Sequence, residues 1–510
     1  MSNQKIGITH IGIVLLISFL LTSCSTQHSA FYPEKKYSTT QLQSDITILE
    51  KILKHNHPGL YWYATQDSIS GYFQALYSSL TDSLTEQQFR NRIAYAVSKI
   101  HCGHTVVRPS EKFVDYYTRH KPPQFPLSLK LWKDTAVVTQ NRLKDDAILM
   151  RGTIVKSING RLLTTIRDSI FQLIGTDGYA DIFKYQALSN NFSAFYRNAF
   201  GTDSQYVIQY IDSNGYAKEK ILKNYFPQNE TTINVQHLDS LTRRQRKQLE
   251  VQGRRNLHID TILHTAFMSV NTFSEGKLKR FFRKSFRTIE LQRPANLVVD
   301  VRVNAGGDVL ACTTLLQYLT NKPFRIADTI AANSRSFIYK KQIRPWFIYW
   351  LSMLVSGKRS GDGKIHFRHF ERQVFKPMQR NHFNGNIYVL TGGYTFSAAS
   401  MFAGQLKGQD NVVIVGEETG GGYYGNSAMF LTNIQLPNTG IRVVLPLYKM
   451  VWDSTRQKNG RGVLPDVQVQ ATARQLKLGV DAKIEMVKEL INGNKNFPSR
   501  YVAKPLNIQP

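Results

Sequence analysis

The sequence predicts a multidomain α/β protein, in which a helical N-terminal domain and a β-rich module precede an α/β domain with a largely parallel sheet. Three observations support this prediction. The 510 residues exceed what one core usually holds. The spacing of apolar residues changes from a helical to an alternating pattern near residue 125. Beyond residue 260, apolar strands such as "ANLVVDVRV" are followed by helical stretches such as "DVLACTTLLQYL".

The first 23 residues have the pattern of a signal peptide. Lys5 supplies positive charge, an apolar run too short to cross a bilayer follows, and "LTSC" ends at Cys24. These four residues resemble the lipobox of bacterial lipoproteins, in which the cysteine is lipidated. We therefore expect a membrane anchor on Cys24 and a location in the cell envelope, with Ser25 favouring the outer membrane. A plain secretory signal with an incidental cysteine is the alternative.

The remaining boundaries follow the changes of pattern along the chain. We expect a tether over residues 24–38, a helical domain over 39–120, a β-rich module with a helical insertion over 121–226, a basic insertion or linker over 227–260, an α/β domain over 261–495 and a tail over 496–510. In the α/β domain, functional groups should gather at the carboxyl ends of the parallel strands.

The charge and the cysteines limit the partners. The formal net charge of +29 fits nucleic acid in principle, but an exported protein meets anionic lipid and envelope polymers instead. We therefore expect no nucleic-acid partner. Cys102 and Cys312 are read as buried thiols. His366 and His369 are spaced as a metal pair, but no cluster of carboxylates or cysteines completes a site, so we expect no metal and no cofactor.

Ser397 lies between a short apolar strand and a helical run in "VLTGGYTFSAASMFAGQL". A serine at such a corner can cap the helix by accepting a backbone hydrogen bond. It can also be a nucleophile on a tight strand-to-helix turn, with the helix N-terminus favouring negative charge. This stretch alone leaves both interpretations open.

A second turn follows the strand "NLVVDVRV". Gly306 and Gly307 allow a sharp turn there and let a backbone N–H face a ligand without obstruction. Together with the N–H of Ala398, such a turn could form an oxyanion hole. An ordinary strand-to-helix turn explains a glycine pair equally well.

Four segments in order, "VVDVRVNAGG", "VLTGGYTFSAASMFAGQL", "VGEETGGG" and "GRGVLPDVQV", resemble the signatures of the C-terminal processing (tail-specific) and tricorn-core serine peptidase family. "HPGLYWY" and "HCGHTVV" are similar to the helical domain of its bacterial lipoprotein members, and "GTIVKSINGR" to its PDZ-like module. The resemblance covers about residues 40–490. It implies a PDZ-like module and a catalytic domain of the ClpP/crotonase-like α/β type.

The resemblance also implies roles for individual residues. Ser397 matches the nucleophile, and the backbone at Gly306 or Gly307 and at Ala398 matches the oxyanion donors. The lysine of one branch is missing, because "ETGGGYYG" contains none. His104 in "CGHT" matches the histidine base of the tricorn-like branch. The glutamate of that branch is replaced by Asn459, and Asp453 or Asp308 are alternatives for its role.

The resemblance therefore implies a serine endopeptidase that acts on envelope or secreted polypeptides through an acyl-enzyme on Ser397, with His104 as general base. The alternatives are a catalytically weak or inactive lipoprotein that binds peptide or apolar ligands on the same scaffold, and a basic scaffold that binds anionic lipid or polysaccharide. The apolar stretch "PWFIYWLSMLV", residues 345–355, is either a core helix or a segment lying against the bilayer.

Overall fold

The structure is a computed structural model that describes residues 31–227 and 241–493. The signal segment and Cys24 lie outside the described residues. The N-terminal part is mainly helical, and it contains β1 (Lys36–Tyr37), α1 (Thr39–Asn56), α2 (Gln66–Ser78), β2 (Leu84–Thr85), α3 (Glu86–Ser98), β3 (Val107–Arg108) and α4 (Glu111–Arg119). Ser38 and Thr85 begin α1 and α3 with capping boxes, which fix where these helices start.

The β-rich module is an antiparallel sheet with helices inserted between its strands. It contains β4 (Leu127–Leu131), β5 (Ala136–Asn141), β6 (Ile154–Ile158), β7 (Arg161–Leu162), α5 (Leu163–Phe171), α6 (Ile182–Asn190), α7 (Phe192–Phe200), β8 (Gln205–Ile211) and β9 (Ala217–Lys223). The strand order is β4-β5-β6-β8-β9, with β7 paired to β6. The module has its own apolar core, which includes Phe125, Ile166 and Tyr196. Its likeness to a PDZ domain stays a prediction.

The α/β domain is built on a sheet that alternates with helices. Its first half contains α8 (Arg243–Arg254), β10 (Arg255–Asp260), β11 (Thr265–Val270), α9 (Leu278–Gln292), β12 (Asn296–Asp300), α10 (Val309–Gln317), β13 (Phe324–Arg325), β14 (Thr329–Ala332), β15 (Ile343–Arg344), α11 (Trp346–Ser356), β16 (Lys358–Arg359), β17 (Ile365–His366), α12 (Arg368–Arg372) and β18 (Val374–Phe375). Its second half contains β19 (Asn386–Thr391), α13 (Ala398–Leu406), β20 (Val412–Gly416), β21 (Gly425–Gln435), β22 (Arg442–Val451), β23 (Val467–Gln468), α14 (Ala473–Leu478) and α15 (Ala482–Gly493).

The main sheet runs β10-β11-β12-β19-β20-β23 and is parallel except for β10. Parallel strands put their carboxyl ends at one edge, so the turns after β12 and β19 meet there. Strand β10 lies within the range predicted as basic linker, but it pairs with β11 along six residues. The segment forms a strand and not a linker because its antiparallel pairing with the buried strand β11 orders it despite its polar composition.

A second, antiparallel sheet was not predicted. Its order is β15-β21-β22-β14-β17-β16, and β3 of the N-terminal part also pairs with β22. Most of its strands have two to four residues, which is too short for a periodicity to show in the sequence. The long strands β21 and β22 form its centre.

The N-terminal helices and the α/β domain share one core. A continuous cluster of buried apolar side chains includes Leu49 and Phe89 of the N-terminal helices as well as Phe282 and Phe402 of the α/β domain. Asp45 of α1 is fully buried and accepts hydrogen bonds from the backbone of Asn438 and Thr439. The opposite face of the main sheet is covered by α15.

Helix α11 corresponds to the apolar stretch that the sequence allows to be either a core helix or a segment lying against the bilayer. Met353 is buried in the shared core, but Phe347, Ile348, Leu351 and Val355 are exposed. The helix therefore packs by one face and leaves the other open. Among the described residues, no helix is both long and apolar enough to cross a bilayer.

Candidate active site

Ser397 occupies the turn between β19 and α13. Its φ is 53° and its ψ is −121°, a conformation that a side chain with a Cβ rarely adopts. Although Ser397 stands at the N-cap position, its side chain accepts no capping hydrogen bond. The helix-cap interpretation therefore does not describe this serine. A partly buried serine on a strained strand-to-helix turn is instead typical of a nucleophile elbow.

The glycine turn, residues 304–307, follows β12 and lies against Ser397. A Cβ at Gly306 would be 2.7 Å from the Cβ of Ser397 and 3.0 Å from the nitrogen of Ala398. The φ of Gly306 is +97°, so both space and backbone conformation require glycine. The two turns meet at one edge of the sheet, as the sequence predicts for the ends of parallel strands.

The hydrogen bonds of the two turns decide which N–H groups are available. The N–H of Gly306 donates to Oδ1 of Asn304 at 2.8 Å, and the buried Asn304 side chain also donates to the carbonyl of Val270. Within the described chain, no hydrogen bond uses the N–H groups of Gly307 and Ala398. Of the three predicted oxyanion donors, the geometry therefore leaves Gly307 and Ala398 available.

A third segment packs against the serine turn. A Cβ at Gly421 would lie 2.8 Å from the nitrogen of Ser397, so the glycines of "ETGGG" allow the close approach of two backbones. Glu418 in the same segment accepts hydrogen bonds from Arg461 and from the N–H of Gly462. These contacts give the glycines and Glu418 of this segment structural roles.

His104 comes from the loop after α3 and reaches the serine turn from the N-terminal part. Its ring lies 4.9 Å, centroid to centroid, from the ring of Phe396, the residue before Ser397. His104 is buried, with 9% of its surface exposed. A Cβ at Gly103 would be closer to the Phe396 ring than van der Waals contact allows, so glycine lets this loop approach. His104 therefore contacts the residue that precedes the predicted nucleophile.

Asp177 is the carboxylate beside His104, and the sequence analysis missed it. Nδ1 of His104 lies 3.8 Å from Oδ1 of Asp177, and Oδ1 also accepts a hydrogen bond of 2.8 Å from the N–H of Gly103. Both side chains are buried. The signal in the sequence is weak, because an aspartate between Gly175 and Gly178 is also an ordinary turn residue.

Asn459, the residue that replaces the glutamate of the tricorn-like branch, is exposed. Its Oδ1 accepts a hydrogen bond from the N–H of Arg461 at 2.9 Å, which closes a local turn. The adjacent Gly460 carbonyl accepts from Tyr179, two residues after Asp177. The segment of Asn459 is therefore bonded to the segment of Asp177, and the side chain of Asn459 itself bonds the backbone of Arg461.

The other acidic alternatives have structural partners. Asp308 accepts the N–H of Leu310 at the start of α10, and Asp453 accepts hydrogen bonds from Thr455. Asp466 of the "LPD" motif pairs with Lys407 and accepts the N–H of Ile414, in keeping with a role in shaping the terminal turn.

His57 supports the loop that carries His104. Its Nδ1 accepts the N–H of Gly59, so Nε2 carries the proton and donates to Oγ1 of Thr105 at 2.8 Å. Complete burial lowers the pKa of His57 to about 3, which keeps the ring neutral in this role.

Burial raises the pKa of the Cys102 thiol to about 12, so this cysteine is not an activated nucleophile.

Two groups of residues bear on metal binding. Cys102, His104 and Asp177 are the one group in the described chain whose ligand atoms are near enough to hold an ion, all within 4.8 Å of one another. His366 instead bonds Glu371 and Asp362 through its two ring nitrogens. Burial lowers the pKa of His366, but these two carboxylates outweigh the burial and raise the pKa.

A family profile and several solved structures are similar to this chain. The sequence profile of peptidase family S41 matches residues 264–469. Mature CPAF shares the fold, with 16% identity over 90% of this chain and 99% of that chain and a TM-score of 0.62. Mature CPAF complexed with lactacystin gives 16% identity, 89% and 99% coverage and the same TM-score.

The photosystem II D1 C-terminal processing protease has 14% identity over 91% of this chain and 100% of that chain, with a TM-score of 0.41. No curated protein sequence matches the chain. The profile match covers the glycine turn, Ser397 and Asn459 and leaves out His104 and Asp177. Residues 264–469 are therefore similar to peptidase family S41, and this similarity supports a serine-type peptidase.

Proposed function

We propose that this peptidase is an endopeptidase that cleaves polypeptides through an acyl-enzyme on Ser397. The observation that carries the proposal is the backbone arrangement around this serine. Ser397 adopts a strained turn without serving as a helix cap, and the N–H groups of Gly307 and Ala398 near it have no partner in the described chain. Uncommitted N–H groups beside a nucleophile are what a tetrahedral oxyanion requires.

The proposed mechanism assigns the proton transfers to His104. Oγ of Ser397 attacks the peptide carbonyl while the neutral imidazole takes the hydroxyl proton, and the N–H groups of Gly307 and Ala398 bind the oxyanion. His104 then gives the proton to the leaving amine, which departs and leaves an ester on Ser397. Water, activated by the same imidazole, hydrolyses the ester and restores the serine.

Asp177 is proposed as the positioning residue for His104. It lies on the Nδ1 side of the ring, so a hydrogen bond there would direct Nε2 to the serine and stabilise the imidazolium. The separation of 3.8 Å is longer than a hydrogen bond, so the pair must tighten when substrate binds. This contact supports Asp177 in the role that the resemblance gave to Asn459.

The location is part of the proposal as well. A lipid on Cys24 would hold the enzyme at the cell envelope, where polypeptides of the envelope or of the secreted fraction are its substrates. The support is the "LTSC" pattern at the end of an apolar signal segment. Metabolic labelling with a radioactive fatty acid tests the anchor, because a Cys24→Ala chain should lose the label.

Covalent labelling tests the catalytic proposal without knowledge of the substrate. We expect a fluorophosphonate probe to modify Ser397 in the chain from residue 25 onward, as read by mass spectrometry of the labelled peptide. His104→Ala should abolish the labelling. Ser400→Ala is the matched control, since Ser400 lies one turn along the same helix and donates to the carbonyl of Thr395. A folded wild-type chain that stays unlabelled would favour the binding protein on the same scaffold.

A further inference from the structure

Cys102, His104 and Asp177 form a compact group of three potential metal ligands. Their exposed fractions are 4%, 9% and 2%, so all three are buried. One sulfur, one ring nitrogen and one carboxylate oxygen lie within 4.8 Å of one another. A zinc ion with bonds of about 2.0–2.3 Å separates its ligands by roughly 3.3–3.8 Å, so small side-chain rotations would close the group around an ion.

The hydrogen bonds of this group are incomplete. Nδ1 of His104 and Oδ2 of Asp177 are both buried, and neither has a partner among the described residues. The sulfur of Cys102 lies 3.7 Å from the carbonyl of Ser427, a weak contact, and it also interacts with Thr105 and with the backbone of His104. Buried polar atoms are nearly always paired, so an unpaired atom on each of two side chains grouped with a buried thiol indicates a ligand.

The structure assigns to these residues a site for Zn²⁺, bound by Sγ of Cys102, Nδ1 of His104 and Oδ2 of Asp177. A thiolate, an imidazole and a carboxylate are all established zinc ligands, and the fourth position would be held by water. On binding, the Cys102 thiol releases its proton to solvent as the sulfur–zinc bond forms.

Zinc at this site would switch off the peptidase, an inference that depends on the proposed role of His104. A metal on Nδ1 confines the remaining ring proton to Nε2, so the imidazole can no longer accept the proton of Ser397. The ion also occupies the carboxylate that orients the ring. Zinc binding and catalysis therefore compete for the same atoms, and removal of zinc restores activity.

Cobalt titration tests the site independently of activity. We expect the metal-free full chain to bind one equivalent of Co²⁺ with a thiolate-to-cobalt absorption band that Zn²⁺ removes. Cys102→Ala should lose the band. Cys312→Ala is the matched control, because Cys312 is the other buried free thiol and should leave the band intact. A folded wild-type chain without the band overturns the site, whether or not the variants fold.

Labelling kinetics then test the inhibition. Zn²⁺ should slow fluorophosphonate labelling of Ser397 at least tenfold in the wild type and in Cys312→Ala, with recovery after chelation. The ratio of rates with and without zinc should approach one in Cys102→Ala. A cobalt band with unchanged labelling overturns the inhibition. Failure of the chelated wild type to be labelled at all overturns the proposed function, while the cobalt titration still decides the metal site.

Helix α11 carries a second, independent inference. Its exposed stripe consists of Phe347, Ile348, Leu351, Leu354 and Val355, with exposed fractions between 45% and 81%. The opposite face is fixed to the protein, because Met353 is buried and the hydroxyl of Tyr349 donates to the carbonyl of Leu431. Five apolar side chains on one solvent-facing stripe exceed the scattered exposure that is normal for a surface.

Basic residues flank this stripe on both sides. Lys340, Lys341 and Arg344 precede the helix, Lys358 and Arg359 follow it, and all five are exposed. The sequence from residue 329 to residue 361 contains no aspartate or glutamate. We propose that α11 lies in the interface of an anionic lipid bilayer, with its apolar stripe among the acyl chains and its basic flanks at the headgroups. Two copies facing each other would instead bring like charges together.

Vesicle flotation tests this surface with the chain from residue 25 onward, which has no lipid anchor. We expect binding to phosphatidylglycerol-containing vesicles at least tenfold above binding to phosphatidylcholine vesicles. Ile348→Glu with Leu351→Glu should abolish it. The control pair, Ile262→Glu with Leu291→Glu, changes two other exposed apolar residues and should still bind. Equal flotation of both pairs overturns the proposal, as does a dimer in sedimentation velocity that only the α11 pair disrupts.

Discussion

The two halves of the proposed site are built in different ways. The half around Ser397 is made of backbone, and it is fixed by glycines that leave no room for a Cβ and by hydrogen bonds within the α/β domain. The half around His104 is made of side chains from two loops outside the family match, and its two members are 3.8 Å apart. The first half is therefore ready for an oxyanion, whereas the second must adjust before it can transfer a proton.

The difference indicates which half can change without loss of the fold. Backbone donors depend on chain conformation, so altering them disturbs the sheet. Side-chain groups can be exchanged, and the proposed role of Asp177 in place of Asn459 would be such an exchange. The following experiments test the two halves, beginning with the substitution that should have the largest effect.

The largest effect is expected from Gly306→Ala. The new Cβ would lie 2.7 Å from the Cβ of Ser397, on a backbone with φ of +97°, and would push the serine turn out of place. We expect labelling of Ser397 to slow by about a hundredfold or more, as for loss of an oxyanion donor. Gly361→Ala is the matched control, because a Cβ there meets nothing within 4 Å. Equal rates for the two variants would contradict a preformed backbone half.

Asp177→Asn should have the next largest effect. Asparagine keeps the acceptor for the N–H of Gly103 but cannot stabilise an imidazolium. We expect the maximal labelling rate to fall about 10- to 100-fold while the half-saturating probe concentration stays within twofold. Partial recovery in Asp177→Glu would support an electrostatic role. A rise in the half-saturating concentration at an unchanged maximal rate would show that Asp177 only shapes the binding cleft.

As the pH falls, the loop that carries His104 should lose stability at a higher pH than the turn that carries Ser397. Because burial lowers the pKa of His57 to about 3, the folded chain binds this proton less readily than the unfolded chain, whose histidine titrates near 6.5. Its contribution is present above about pH 6.5 and is lost as the pH falls towards 3, by about 1.4 kcal/mol per unit at most.

Hydrogen exchange measures this difference. Between pH 7 and pH 5, after correction for intrinsic exchange, the segment 101–106 should lose protection while the segment 389–401 keeps it. His57→Gln should reduce the pH dependence of urea unfolding, to which His101, whose pKa is also lowered by burial, contributes as well. Parallel loss of protection in both segments would mean that the two halves respond to acid as one unit.

The smallest effect is expected from Asn459→Ala. The side chain is exposed and its Oδ1 closes a local turn through the N–H of Arg461, so its loss should cost about 0.5–1 kcal/mol of stability. We expect the labelling rate to change less than threefold. A fall in labelling rate as large as that of Asp177→Asn would show that Asn459, and not Asp177, positions His104.

The sequence predicted what is local and missed what is assembled over distance. Alternating strands and helices led to the α/β domain, and turns at strand ends made Ser397, Gly306, Gly307 and Ala398 candidates, to which the family resemblance gave roles. The antiparallel second sheet escaped prediction because its outer strands have only two residues each. Asp177 escaped because nothing in a turn between two glycines shows that it will lie beside His104, 73 positions earlier in the chain.

Strand β3 makes the assembly of the proposed site depend on the order in which the chain is synthesised. Val107 pairs with Val443, which ties the segment that carries His104 to a strand near the end of the α/β domain. A chain emerging from the ribosome contains the base long before it contains that strand or Ser397. The proposed catalytic pair is therefore assembled only after both Ser397 and the strand that pairs with β3 have been synthesised.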